Sequence, residues 1–125
     1  MVDRRIEIDL GAEVGAPRLA RRSIQGWLES LGCAAERLSD VGLVIAELVT
    51  NAVVHAHTPA TLIGQREPGY VRIEVHDDST EGPMERDVGT AQGGFGLKIV
   101  ERLSESWGWG YRPAGGKVVW ALVRC

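Results

Sequence analysis

The chain has 125 residues, 44% of them hydrophobic and 25% charged, a composition that fits one globular domain around a single core. Its net charge is −3 and its pI about 5.6, so it lacks the basic footprint of a nucleic-acid or anionic-membrane binder, and its 14 Lys and Arg read as solvated faces. The opening MVDRRIEIDL has no signal-peptide core, and no segment reads as the roughly 18 apolar residues of a membrane span, so a cytoplasmic protein is expected.

Ile6, Ile8 and Leu10 alternate with polar residues and predict a half-buried strand ending at Gly11. Pro17 suits the first turn of a helix whose apolar stripe, Leu19, Ala20, Ile24, Trp27, Leu28 and Leu31, runs to a stop at Gly32. Cys33 and Cys125 lack CxxC spacing and read as free thiols in a reducing compartment. A second helix begins between Ala34 and Asp40 and reaches about Ala56, ahead of Pro59, which forbids continuation.

Residues 60–66 read as a strand and Glu67-Pro68-Gly69 as a turn. In the return strand Val71, Ile73 and Val75 face one way, and Arg72, Glu74 and His76 the other, before Asp77-Asp78-Ser79. Thr80 to Gln92 has no periodicity and is expected to be a mobile, functional loop. Gly93-Gly94-Phe95-Gly96 opens a third helix with Leu97, Ile99, Val100 and Leu103 toward the core. WGWGYR and KVVWALV are the last strands, joined by a turn at Pro113-Ala114-Gly115-Gly116, and their Trp and Tyr residues are expected to serve core and edge packing. The order β-α-α-β-β-loop-α-β-β predicts an α+β fold: a two-layer α/β sandwich with a mostly antiparallel, mixed sheet and the helices on one face.

Chemistry concentrates in three places. Glu47, Asn51 and His55 recur at i, i+4 and i+8 beside a buried stripe of Val41, Val44, Ile45, Leu48 and Ala52. In such a row a carboxylate can take a proton and a carboxamide can offer oxygen to a hard cation. Asp77, at a strand end, can accept a hydrogen bond from the exocyclic amine of a base, or simply form a turn. Gly94-x-Gly96 at a helix start is a place where backbone amides meet phosphate, or a plain hinge. There is neither a GxxxxGK[ST] motif nor a GxGxxG βαβ unit, which argues against a P-loop and a dinucleotide fold.

ELVTNAVVHA, VRIEVHDDS and GGFGLKIVERL, in that order, resemble the ATP-binding boxes of the superfamily of gyrase, Hsp90, histidine kinases and MutL, with its Bergerat-type fold. Within it the chain looks most like the bacterial anti-sigma-factor serine/threonine kinases of actinobacterial type. The resemblance implies ATP and Mg²⁺ as cofactors, Glu47 as general base, Asn51 as Mg²⁺ ligand, Asp77 as the adenine-binding residue, and Gly94 and Gly96 at the phosphates, with an ATP lid over 80–92. It implies an anti-anti-sigma protein, a sigma factor, or both as partners, leaves homodimerisation open, and gives no role for nucleic acid or membrane. Two departures stand out. Ser79 replaces the first glycine of a DxGxG box, and Val118 stands where a Thr hydroxyl assists adenine recognition in a GKTVW stretch. The alternative function is a nucleotide-responsive anti-sigma binding module that transfers no phosphate.

Overall fold

A computed structural model describes residues 3–82 and 96–125. The alternating N-terminal segment forms strand β1 (Arg5–Leu10), followed by helix α1 (Ala16–Ser30) and helix α2 (Ala35–Thr50). The turn Asn51–His55 then continues α2 with π-helical bonding. Strands β2 (Ala60–Glu67) and β3 (Tyr70–Asp77), helix α3 (Gly96–Leu103), and strands β4 (Ser106–Tyr111) and β5 (Lys117–Arg124) complete the chain.

The element order matches the expected one. The sheet order is β1-β2-β3-β5-β4, with every pairing among the described residues antiparallel, so no parallel pair accompanies them. This topology places β3 and β5 side by side at the centre, with Asp77 directly opposite Lys117.

Alternation sorts the sheet into two faces. Leu62, Val71, Ile73, Val75, Val119, Ala121 and Val123 are buried with Val41, Val44, Ile45, Leu48, Val49 and Ala52 of the α2 segment in one core. On the other face the Arg72 guanidinium lies 4.7 Å from the centre of the Trp120 ring and pairs with Glu74 at 2.9 Å. Trp109 and Tyr111 meet edge to face at 5.2 Å on the edge strand, 42% and 62% exposed.

Helix α1 buries Ala16, Ala20, Ile24, Trp27 and Leu28. Leu19, expected in that stripe, is exposed instead, because the seam follows the i, i+4, i+8 line from Ala16 and leaves Leu19 to its side. The Trp27 indole N–H donates to the Asp3 carbonyl at 2.7 Å, and its ring lies where a β-carbon on Gly64 would come within 2.9 Å. α1 ends in a Schellman arrangement. Gly32 has φ +83°, its N–H bonds Glu29, and the Cys33 N–H bonds Leu28.

Two sequence expectations are corrected. Cys33 and Cys125 are joined in a disulfide, their Cα atoms 5.2 Å apart across a sequence separation of 92. Central strand β5 ends beside the α1–α2 connection, which brings the two thiols together; no local spacing signals that. The run Ala35–His55 is a helix long and apolar enough to cross a membrane. Here it is the core helix: Val41, Val44, Ile45, Leu48, Val49, Ala52 and Val53 are buried in the core, while Leu43 is exposed.

Candidate functional site

The α2 segment turns its polar row toward the open ends of β3 and β5. Burial of Val44, Ile45, Leu48, Val49, Ala52 and Val53 fixes the rotation of the helix, leaving Glu47, Asn51 and His55 half-buried at its flank. At Asn51 the hydrogen bonding changes: the Ala56 N–H bonds the Asn51 carbonyl, five residues back, at 3.0 Å. A π-turn inside a helix re-aims the side chains that follow, and takes His55 off the straight line that α-helical spacing predicts.

Asn51 and His55 nevertheless line the same cavity, of about 420 Å³, together with Ala56, Asp78, Ser79, Thr80, Glu81, Gly82 and Lys117. The strand end after β3 forms its second wall. Gly82 lies against Trp109, whose ring atoms approach within 2.4 Å of the position a β-carbon would occupy.

Glu47 does not line that cavity. It sits one turn earlier, against the start of α3, with one carboxylate oxygen 2.8 Å from where a β-carbon on Gly96 would stand. Gly96, expected to let the backbone approach phosphate, also leaves room for Glu47. Partial burial holds the Glu47 carboxyl above the usual carboxylate range. Gly94 and loop residues 83–92 lie outside the described residues, so of the expected lid only Thr80–Gly82 is placed.

Asp77 is the residue the tertiary structure changes most. Its Oδ1 accepts from the Ser79 backbone N–H at 2.8 Å, the local turn that an Asp at this position can form. Its Oδ2 accepts from Lys117 Nζ at 2.5 Å, and both side chains are only 1% exposed. Arg112 Nη1 donates to the Asp77 carbonyl at 3.0 Å. Gly116, at φ +81°, lets the β4–β5 turn close over this carbonyl, since a β-carbon there would fall 2.0 Å from it.

The two expected departures also resolve. Ser79 spends its N–H on Asp77, and its hydroxyl donates to the Glu81 carbonyl and accepts from the Glu81 N–H, both at 3.1 Å. Val118 is not the residue beside Asp77. It lies opposite His76, and the strand register puts Lys117 next to Asp77 instead. Lys117 was legible as an anomaly: it shares the inward face of its strand with Val119, Ala121 and Val123, and a Lys there needs a buried anion. Arg112 and Trp109 carry no comparable signal in the sequence.

The arrangement therefore offers an oxygen-rich cavity at the end of a core helix, a half-buried acid beside the start of a second helix, and a buried ion pair at the strand ends. No curated protein matches the sequence. The fold is similar to that of the RsbU and RsbW domains of Rv1364c from Mycobacterium tuberculosis (TM-score 0.75, 23% identity), over 98% of this chain and 32% of that one, so the chain spans about a third of that protein. It is also similar to a chain of the SiaB-SiaC complex from Pseudomonas aeruginosa (TM-score 0.67, 14% identity), over 96% of this chain and 91% of that one. Residues 10–122, which take in Glu47, Asn51, Asp77 and Gly96, match the family model of the histidine kinase-like ATPase domain, and the chain belongs to that family.

Proposed function

We propose that the protein is an ATP-binding regulator, an anti-sigma factor with serine/threonine protein kinase activity toward an anti-anti-sigma partner. The observation that carries this reading is the joint placement of Asn51 in the strand-end cavity and of Glu47, one helical turn away, at the start of α3. Membership in the ATPase family supplies the nucleotide. A chain of similar fold is found in the SiaB-SiaC complex, bound to a second protein, which supports a protein partner here.

A cavity of about 420 Å³ is within the usual range for a small-molecule site. Its oxygen donors, Asn51, Asp78, Ser79, Thr80 and Glu81, suit a hard cation. No group of three or more His, Cys, Asp or Glu that could hold a metal alone occurs among the described residues, so Mg²⁺ here would rely on nucleotide phosphates as well as on Asn51. When bound, that ion offsets charge on the β- and γ-phosphates.

Glu47, in its ionised form, accepts the proton of the partner's Ser or Thr hydroxyl. The hydroxyl oxygen bonds to the γ-phosphorus, the bond to the β,γ-bridging oxygen breaks, and ADP leaves with that electron pair. Burial, by raising the Glu47 pKa, makes it a stronger proton acceptor than an exposed carboxylate. The test is incubation of the protein with Mg²⁺, γ-labelled ATP and candidate anti-anti-sigma proteins. Label on a Ser or Thr of one partner is the expected result, and ATP binding without transfer to any partner overturns the kinase assignment.

The second reading, a nucleotide-responsive binding module without phosphate transfer, is favoured by one observation: the Asp77 carboxylate is already engaged on both oxygens.

A further inference from the structure

We propose that Lys117 governs base recognition in this pocket, holding Asp77 in an internal ion pair that a base amine must displace. The inference rests on the nucleotide-binding reading above. Three observations carry it. Lys117 lines the cavity, whereas Asp77, directly opposite it on β3, does not. Asp77 Oδ2 is taken by Lys117 Nζ at 2.5 Å and Oδ1 by the Ser79 N–H at 2.8 Å. Both side chains of the pair are 1% exposed, so solvent neither screens the contact nor competes for it.

An exocyclic amine is a donor and needs an acceptor; an ammonium offers only donors. A base entering the cavity therefore meets Lys117, a group that cannot receive its amine. The carboxylate that could receive it becomes available only when the ammonium leaves. The register makes the arrangement specific to this position, because residue 117 is the one on β5 directly opposite Asp77, and Val118 faces the other side of the sheet. A short hydroxyl side chain at 117 would leave Asp77 accepting only from Ser79 and would open space in front of it. In the protein as it stands, nucleotide affinity is held down by a competitor supplied by its own last strand, and a group that draws Lys117 away raises that affinity.

The test is Mg·ATP binding by calorimetry to the wild type, Lys117→Thr, Asp77→Asn and the double variant. Lys117→Thr is expected to bind at least tenfold more tightly than wild type. Asp77→Asn is expected to cost more affinity in the Lys117→Thr background than in the wild type, because in the wild type it also removes the ion pair that the base has to break. Since removing one partner of a buried ion pair destabilises a fold, a second measurement uses the wild type alone. The ¹⁵N resonance of Lys117 Nζ should shift on saturation with Mg·ATP as the ion pair opens. Equal or weaker binding by Lys117→Thr, or an unmoved Nζ resonance at saturation, overturns the role of Lys117 while leaving ATP binding intact. Absence of binding by every form, at millimolar nucleotide, overturns the nucleotide reading and this inference with it.

Discussion

One oxygen of the Glu47 carboxylate lies 2.8 Å from the place a β-carbon on Gly96 would take. The acid of one core helix thus stands against the first residue of another, and only the absence of a side chain at 96 allows it. Ala is the better helix former, by about 0.5–1 kcal/mol, so Gly96→Ala should not lower the stability of α3 itself. It should displace Glu47 instead. The expected outcome is a loss of phosphate transfer of up to about 10²-fold, the scale of a misplaced reacting group, with little change in thermal unfolding. A variant that keeps full transfer would show that the Glu47 position does not matter.

Glu47→Gln removes the proton acceptor at nearly constant size. Phosphate transfer should fall by about 10²–10⁴-fold while Mg·ATP still binds. Asn51→Ala, one turn on, should damage metal-dependent binding and transfer together, because it removes an oxygen ligand. The same Gln variant carries a pH signature. Burial raises the folded-state pKa of Glu47 above that of an ordinary carboxyl, so the ionised form costs stability. That cost is absent below the unfolded-state pKa and grows as pH rises through the folded-state pKa. Glu47→Gln should therefore unfold at higher temperature than wild type at pH 7, and the gain should vanish as pH falls to about 4.5 and below. Thermal unfolding across pH 4–8 reads it, and a constant difference across that range would argue against the burial effect.

Gly116→Ala tests the turn that closes over Asp77. The position has φ +81°, which costs a non-Gly residue about 1–3 kcal/mol, and the new β-carbon would fall 2.0 Å from the Asp77 carbonyl oxygen. Loss of at least about 2 kcal/mol in chemical denaturation is expected, with the end of β3 displaced. Gly115, also at positive φ (+102°), has nothing within 4 Å of its β-carbon position. Its Ala variant should suffer only the backbone part.

The Cys33–Cys125 bridge closes a long loop, with a sequence separation of 92 in a chain of 125 residues. Constraint of the unfolded state by so long a loop contributes about 2–4 kcal/mol, and up to about 5 in the chain-entropy limit. Reduction, or Cys33→Ser, should lower stability by that amount, read as a denaturation midpoint with and without dithiothreitol. Equal midpoints would mean that the thiols are unpaired in solution.

The sequence by itself determined the order of the elements, because each rests on a local period. Ile6, Ile8 and Leu10 mark β1, the α2 stripe from Val41 to Ala52 marks the core helix, and Val71, Ile73 and Val75 mark the buried side of β3. It also determined that Glu47 and Asn51 flank the core, since a helix that buries Val44, Ile45 and Leu48 must carry them on its shoulder. Pairings between distant segments were decided only by the tertiary structure. Nothing local signals that β5 inserts between β3 and β4, yet that choice sets Lys117 against Asp77, turns Val118 to the other face, and carries Cys125 to Cys33. The π-turn at Asn51 and the seat of Glu47 on Gly96 likewise depend on how helices meet. Side-chain periodicity is a property of one segment, whereas an ion pair, a disulfide or a steric fit is a property of two, and only packing brings the second to the first.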